Sequence, residues 1–259
     1  MSDLEITTHQ GVQTIRFTRP DKKNALMSSM YVAMMEALDR GDASPDVAVH
    51  LFVGSGGVFT AGSDINEFIA RAKGGTTLAT PVLNFIRGLP RVKKPMIAAV
   101  DGLAVGIGTT LLFHCDLVYA TPSASLRTPF LDLGLVPEAG SSLLAPLRMG
   151  YARAFELLVL GEPFSAERAR EAGIVNAIVP ADQLEATALK AAHRLAAKAP
   201  EALRLSRHLM RGDPGAIVAR VDEEAKIFGA RLSSPEAGEA FSAFMEKRKP
   251  DFSKLKKNN

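Results

Sequence analysis

Two glycine-containing stretches place the strongest constraint on how this chain can fold. The first reads FTAGSDINEF over residues 59–68, and the second reads DGLAVGIGTTLLFHCD over residues 101–116. The apolar run MIAAV at 96–100 leads into Gly102, Gly106 and Gly108 of the second stretch, and a helical pattern follows. An apolar run followed by glycines and then by a helical pattern is typical of a strand, a tight turn that needs glycine and a helix. The chain is therefore predicted to contain strand-to-helix turns of the kind found in α/β proteins.

Each stretch also predicts a main-chain N–H group aimed at one oxygen. Asp64 and Glu67 have the spacing of a capping box that opens a helix, which leaves the Ser63 N–H free to point into a cleft. The Ile107 N–H lies at the predicted start of the second helix, where the helix dipole is positive. Together the two amides predict an oxyanion hole. One such loop alone would indicate only a tight turn, and a dinucleotide site is set aside because Leu111 replaces the third glycine.

Length and composition fit one medium α/β domain with a small appendage. The chain has 259 residues, of which 47% are hydrophobic, and this suffices for a sizeable core. Alternating strand and helix patterns predict a parallel-strand core over residues 1–195. From Ala181 onward nearly every pattern is helical, with Pro200, Pro214 and Pro235 at helix starts, and residues 196–259 are predicted to form a helical region for oligomerisation.

The predicted elements begin with a hairpin that turns at Gly11. Met30, Met34, Met35 and Leu38 recur at helical spacing in the next segment. The remaining strands are predicted at 47–53, 96–100, 117–120, 124–129 and 175–180, and the helices of the core at 28–39, 64–71, 81–88, from 141, 150–160 and 165–173.

Composition excludes several classes of site. The single cysteine, Cys115, cannot form an internal disulfide, and the five histidines lack the spacing of a metal motif, so no metal is expected. The net charge is +3, with basic residues concentrated from 246 onward. No Trp and only three Tyr are present, which argues against nucleic acid and favours a small phosphate-bearing ligand.

The expected location is the cytoplasm, and the expected assembly is a homo-oligomer. The N-terminus lacks the pattern of a signal peptide, the C-terminus lacks a peroxisomal tripeptide, and no apolar run approaches the roughly 18 residues of a membrane span. The helical region carries apolar faces that include Ile227, Phe228, Phe241 and Phe244. A partner chain is expected to cover them.

Seven blocks in order resemble the enoyl-CoA hydratase and isomerase family, the crotonase superfamily, over essentially the whole chain. They are RPDKKNAL, FTAGSDI, KPMIAAVDGLAVGIG, HCDLVYA, TPFLDLGLVPEAGSS, GEPFSAERAREAGIVNAIVP and FMEKRKPDF. The resemblance implies an α/β fold made of a spiral of repeated ββα units, with a C-terminal helical trimerisation region. It also implies acyl-CoA thioester ligands and a homotrimer or a dimer of trimers. Coenzyme A would enter as part of the substrate, so no separate cofactor is expected.

The resemblance assigns roles to individual residues. Ser63 and Ile107 would bind the thioester oxygen through their backbone amides. Apart from the resemblance, Phe130 and Leu133 are predicted to shape the acyl pocket or the core. Lys247 and Lys249 are candidates for reaching the CoA phosphates, in their own or a neighbouring subunit. The other implied contacts with CoA are Lys22, Lys23, Ala25, Ala61, Gly62, Asp64 and Ile65. For all these lysines, plain surface charge is the alternative.

The resemblance also indicates which reaction to expect. Thr110 and Phe130 occupy the positions of the two glutamates that hydratases use, and neither side chain is an effective acid or base. Glu138 is placed as in the peroxisomal-type 3-enoyl-CoA to 2-enoyl-CoA isomerases. It would move a proton from the α-carbon to the γ-carbon, and the apolar flanking residues Val136 and Pro137 predict a dry site that raises its pKa.

Several alternatives stay open at this point. The chain could be a hydratase that uses Glu138 with Asp132 or Thr110 holding water, or a non-catalytic member that binds acyl-CoA or RNA. Glu138 could instead be a surface residue that caps the helix near Ser141. For Thr109 and Thr110 we favour hydroxyls that satisfy local amides at a helix N-terminus.

Overall fold

The computed structural model describes residues 3–72, 78–253 and 255; the end of the basic tail lies outside this part. Its strands form two sheets. The strands are β1 (Leu4–His9), β2 (Val12–Phe17), β3 (Val49–Val53), β4 (Met96–Val100), β5 (Leu103–Val105), β6 (Leu117–Ala120), β7 (Ser125–Arg127), β8 (Phe164–Ser165) and β9 (Ala177–Ile178).

The larger sheet has the strand order β1-β2-β3-β4-β6-β9, and the smaller sheet has the order β5-β7-β8. β1 pairs antiparallel with β2, and every other pair in the larger sheet is parallel. β5 follows β4 directly, and β7 follows β6. Each of these two consecutive pairs therefore contributes one strand to each sheet. The carboxyl ends of β3 and β4 meet at one edge, so both glycine stretches begin there.

Helices cover both faces of the larger sheet. They are α1 (Ser28–Ala43), α2 (Ile65–Ala72), α3 (Thr80–Gly88), α4 (Ile107–Thr110), α5 (Ser141–Met149), α6 (Tyr151–Phe155), α7 (Ala166–Glu171), α8 (Ala181–Ala196), α9 (Pro200–Arg211), α10 (Gly215–Leu232) and α11 (Pro235–Met245). The predicted second helix is shorter than expected, since α4 makes one turn and a 3₁₀ segment continues it to His114. Among the described residues, none of the helices has the length and apolar character needed to cross a bilayer.

Successive side chains of the central strands point to opposite faces of the sheet, which divides the core into two parts. Val49, Leu51 and Val53 of β3 face α8 and pack with its Leu184 and Ala188. The intervening Phe52 belongs to the larger cluster, which α1 and α3 cover. A strand buried on both faces in this way is typical of a parallel sheet between helices.

The C-terminal helices fold back onto their own chain. α10 packs against α3 and α5, and α11 packs against the turn at 131–133. The four residues of the predicted apolar faces therefore fall into two groups, because Phe228 and Phe241 are buried within the single chain and the other two are exposed. The expectation that all four apolar residues await a partner chain is wrong for these two, while Ile227 and Phe244 remain 45% and 52% exposed.

Two glycines provide a matched test of how tightly α11 docks. Gly134 and Gly161 both have left-handed backbone, with φ of 67° and 71°. A Cβ at Gly134 would lie 2.8 Å from the Ala237 nitrogen, whereas the nearest atom at Gly161 is 3.7 Å away. We expect Gly161→Ala to lower the free energy of unfolding by about 1 kcal/mol from backbone strain alone. Gly134→Ala should cost about 1–3 kcal/mol more, because it overpacks the α11 contact.

Urea denaturation at one fixed protein concentration measures both values. Equal losses of unfolding free energy in the two variants would show that α11 moves to accommodate the added methyl group without loss of stability.

Candidate active site

The first glycine stretch is held against the smaller sheet by a parallel bridge. The Thr60 N–H donates to the Leu103 carbonyl at 2.9 Å, and the Val105 N–H donates to the Thr60 carbonyl at 3.0 Å. Two residues later Gly62 has φ of +86°, and a Cβ there would lie 2.7 Å from the Val105 carbonyl oxygen. Only glycine fits this approach, and it places Ser63 beside the second stretch.

The second stretch turns at Gly106, where φ is +56°. Ile107 is the first residue of α4, so its N–H has no carbonyl partner within that helix. A Cβ at Gly108 would lie 2.5 Å from Cγ2 of Thr60, which shows how closely the two stretches pack. In the part of the chain that the structure describes, neither the Ser63 N–H nor the Ile107 N–H donates a hydrogen bond. Both amides are available to a bound oxygen.

The Ser63 side chain is anchored by Tyr31, which is not among the predicted site residues. The Tyr31 hydroxyl lies 2.6 Å from the Ser63 Oγ, and only 1% of Tyr31 is exposed. Burial raises the pKa of Tyr31, so its hydroxyl stays protonated. A tyrosine within the apolar face of α1 was the available signal, because a buried hydroxyl needs a hydrogen-bond partner.

Glu138 lies in the interior, with 7% of its surface exposed. The Thr110 hydroxyl donates to its Oε1 at 2.5 Å. Burial raises the pKa of Glu138 to about 8, the Thr110 bond lowers it in part, and the nearby Glu224 carboxylate raises it further. A carboxyl group with this pKa is a stronger base than an ordinary glutamate.

One expectation about this region is wrong, and one alternative is excluded. Thr109 does bond locally, donating to the Ala104 carbonyl at 2.5 Å, but the Thr110 hydroxyl serves Glu138 instead of a local amide. Glu138 does not cap the helix that starts at Ser141. That place is taken by Glu224 of α10, which accepts the backbone N–H groups at the start of α5.

Glu138 is connected to both free amides. Its partner Thr110 is the last residue of α4, the single turn that Ile107 begins. On the other side its charge raises the pKa of Tyr31, whose hydroxyl contacts Ser63. The carboxylate and the two amides therefore belong to one region of the molecule.

A pocket of about 300 Å³ opens beside Ser63. Its walls come from α1, the start of α2, α3 and the end of α10. They are formed by Leu26, Ser28, Tyr31, Ser63, Asp64, Glu67, Leu78, Ala79, Val82 and Leu232. Phe130 and Leu133, which were predicted to shape the acyl pocket, are not among them. Both pack into the core, Phe130 with 5% of its surface exposed, and their contact with an acyl chain stays a prediction.

Seven residues predicted to contact CoA are brought together in two neighbouring segments. Residues 22–26 run beside residues 61–65, where the Leu26 N–H donates to the Gly62 carbonyl at 2.8 Å. The Asp64 N–H donates back to the Leu26 carbonyl at 2.9 Å. The seven are Lys22, Lys23, Ala25, Ala61, Gly62, Asp64 and Ile65.

The other two predicted CoA contacts, Lys247 and Lys249, lie apart in the single chain. They are exposed residues beyond the end of α11. Hydrogen bonds within the described residues tie this segment to Glu239, through Arg248 and Asp251. Contact of these lysines with a phosphate stays a prediction.

The predicted capping box at the start of α2 is wrong. The Asp64 carboxylate does accept a local bond, from the Asn66 N–H at 3.0 Å. Glu67, however, accepts the N–H and the hydroxyl of Ser28 at 2.9 and 2.6 Å. Glu67 therefore ties α2 to the start of α1 across the pocket mouth instead of closing a box.

The buried residues near the site show no sign of metal or thiol chemistry. Within the described ranges, no three His, Cys, Asp or Glu side chains are grouped as metal ligands would be. Burial raises the pKa of Cys115 to about 12 and lowers that of His114 to about 3. Both side chains are neutral at physiological pH.

Relatives of known sequence carry both hydratase and isomerase names. The chain is 30% identical over 253 residues to 2,3-dehydroadipyl-CoA hydratase of Escherichia coli strain K12, covering 97% of this chain and 99% of that protein. It is 33% identical over 250 residues to enoyl-CoA delta isomerase 2 of Rattus norvegicus. That match covers 95% of this chain but 63% of the rat protein.

The fold and the family rest on two further comparisons. A solved enoyl-CoA hydratase/isomerase from Pseudoalteromonas atlantica T6c matches with a TM-score of 0.91 at 37% identity, over 97% of this chain and 100% of that one. The predicted crotonase-like fold is thereby confirmed. The sequence model of the enoyl-CoA hydratase/isomerase family matches residues 7–256. The chain belongs to the enoyl-CoA hydratase/isomerase family.

Proposed function

We propose that this enzyme moves the double bond of a 3-enoyl-CoA thioester to give the 2-enoyl-CoA isomer. The observation that carries the proposal is the state of its buried carboxylates. Among the described residues, Glu138 and Glu224 are the buried acidic side chains. Glu224 is occupied by two backbone amides, whereas the hydrogen bond to Glu138 comes from Thr110. Glu138 is thus the carboxylate free to exchange a proton with substrate.

The reaction needs one base and one oxyanion site. The Glu138 carboxylate removes a proton from the α-carbon, and the electron pair of that C–H bond delocalises onto the thioester oxygen. The Ser63 and Ile107 N–H groups bind the resulting dienolate. Protonated Glu138 then delivers the same proton to the γ-carbon, and the double bond moves into conjugation with the thioester. No water or second acid is consumed.

The electrostatics favour Glu138 as the base and the Ser63 and Ile107 amides as the oxyanion site. A base with a pKa of about 8 is better matched to a weak carbon acid than an ordinary glutamate is. The amides stabilise charge that appears only during the reaction, and losing one such donor typically costs about a hundredfold to a thousandfold in rate. The Tyr31 bond to Ser63 holds one donor in place before substrate arrives.

The CoA portion of the substrate is proposed to lie along residues 22–26 and 61–65. Lys22 and Lys23 are exposed at the first of these segments and would attract phosphate groups. The acyl chain would enter the pocket lined by Leu78, Val82 and Leu232. Coenzyme A is part of the substrate, and the proposed mechanism uses no other cofactor.

A second candidate is hydration of a 2-enoyl-CoA. Thr110 bonds directly to Glu138 and could exchange that bond for one to a water molecule. A relative at 30% identity is named 2,3-dehydroadipyl-CoA hydratase. The two reactions have opposite signals, because isomerisation creates the absorbance of a conjugated enoyl thioester and hydration removes it. Isomerisation is favoured since one carboxylate completes it.

Glu138→Gln tests the proposed base. We expect the isomerisation kcat to fall by about a hundredfold to ten-thousandfold, because amide nitrogen cannot accept the α-proton. Affinity for an acyl-CoA should stay the same, since the oxyanion amides and the two segments proposed to hold CoA, residues 22–26 and 61–65, are unchanged. The rate of appearance of conjugated absorbance measures kcat, and calorimetric titration measures affinity.

The control is Glu223→Gln, because the Glu223 side chain is 63% exposed on α10. It should behave as the unmodified enzyme does. Near-normal turnover by the Glu138 variant would remove the proposed mechanism.

The pH profile tests the proton-transfer role. The active form of Glu138 is the carboxylate, so kcat/KM should rise with pH and level off above about 8. Thr110→Val removes a bond that favours the charged carboxylate, which should move the midpoint to higher pH. Thr110→Ser keeps the hydroxyl and should leave the midpoint in place. A midpoint near the ordinary glutamate value in the unmodified enzyme would contradict the assignment.

The family resemblance and the exposed apolar surface lead us to propose a homotrimer or a dimer of trimers. Leu209 and Met210 of α9 are 81% and 88% exposed, which is unusual for side chains of this type. Light scattering should give a mass three or six times that of the 27.6 kDa chain. A single-chain mass at working concentration would rule the assembly out.

A further inference from the structure

The backbone directly after Glu138 adopts an unusual conformation. Ala139 has φ of 58° and Gly140 has φ of 72°, so two consecutive residues are left-handed. A residue with a Cβ rarely adopts this conformation unless its surroundings fix it. The direction in which the Glu138 side chain projects depends on this double turn.

Two side chains hold the double turn, one from each side. From the core, the His114 Nε2 donates to the Ala139 carbonyl at 2.7 Å. From α10, the Glu224 carboxylate accepts the Gly140 N–H at 2.6 Å and the Ser142 N–H at 2.9 Å. Both His114 and Glu224 are buried, with 0% and 5% of their surfaces exposed.

Glu224 supplies the N-terminal cap that the local sequence of α5 lacks. The residue before that helix is Gly140, which has no side chain to cap the first amide groups. Glu224 caps them from a distance of 84 residues in sequence and places negative charge at the positive end of the helix. The cap is therefore supplied only when α10 has docked.

We propose that Glu224 is a positioning residue for Glu138, which fixes the turn that aims the Glu138 carboxylate and places a second negative charge beside it. This inference rests on the proposed role of Glu138 as the base. Glu224 does not touch the reacting carbons, because both of its oxygens are occupied by backbone amides.

The charged groups around Glu224 define the expected pH effect. On its own helix Arg220 attracts it and donates to the Ser142 hydroxyl at 3.3 Å, while Glu223 pairs with Arg220. From the facing segment, Glu138 is the neighbouring acid. An ionised Glu224 opposes ionisation of Glu138, so its neutralisation should make Glu138 easier to deprotonate.

Three variants separate positioning from simple stabilisation. Glu224→Gln removes the charge and one of the two acceptors, Glu224→Asp keeps the charge but shortens the reach, and Glu223→Gln is the exposed control on the same helix. In isomerisation assays we expect Glu224→Gln to keep KM within about twofold and to lose about tenfold to a hundredfold in kcat. Its kcat midpoint should move to lower pH.

Glu224→Asp should lower the plateau of kcat without moving the midpoint, and Glu223→Gln should change neither. If Glu224→Gln melts at a lower temperature yet keeps the plateau and the midpoint, Glu224 is only a structural cap and the inference is overturned. Should Glu224→Gln fail to fold, an unchanged plateau in Glu224→Asp overturns it equally.

A readout independent of turnover separates this inference from the proposed function. In protein labelled with ¹³C at glutamate carboxyls, the Glu138 signal is identified by its loss in Glu138→Gln. Its titration midpoint should fall in Glu224→Gln and stay in Glu223→Gln. If the unmodified enzyme isomerises no 3-enoyl-CoA but the midpoint falls, the proposed function fails while the coupling of the two carboxylates stands. An unmoved midpoint overturns the coupling whatever the activity.

Discussion

The parallel bridge between Thr60 and the smaller sheet is the interaction on which the site depends. It joins the loop after β3 to the strand after β4, through two backbone hydrogen bonds of 2.9 and 3.0 Å. Neighbouring parallel strands would otherwise end in two separate turns. Because Gly62 then lies against the Val105 carbonyl, Ser63 and Ile107 end up on adjoining backbone, each with an unused N–H. The position of both amides follows from main-chain pairing, and the Tyr31 bond to the Ser63 side chain adds to it.

A second constraint is the burial of charge around Glu138. An isolated carboxylate in an apolar interior is strongly disfavoured. Here burial and Glu224 raise the pKa, while the Thr110 hydroxyl limits the increase. His114 contacts the same turn but stays uncharged, because burial lowers its pKa to about 3. Among the described residues, the interior thus offers Glu138 one hydrogen bond, from Thr110, and no ion pair with a cation, which keeps the group able to gain and lose a proton near neutral pH.

The sequence was a good guide wherever local patterns decide structure. Strand 96–100, the turn at Gly11 and the helix starts at Pro200 and Pro235 follow from apolar runs and from glycine and proline, and the structure has all of them. Bonds between residues far apart in the sequence could not be paired from local patterns, although the apolar face around Tyr31 marked its hydroxyl as needing a partner. Glu67 bonds to Ser28, Thr110 to Glu138 and Tyr31 to Ser63, and each of these pairs depends on how distant elements pack. For the same reason the pocket wall from Leu78, Val82 and Leu232 could not be predicted.

The late position of α10 in the chain has a consequence for how the enzyme matures. Leu232 closes one wall of the pocket, although the strands and loops that carry the amides end far earlier in the sequence. A chain emerging from the ribosome therefore completes its sheets well before it can enclose an acyl group. The pocket wall is complete only once α10 has been made, so this site forms later in synthesis than the sheets from which its amides project.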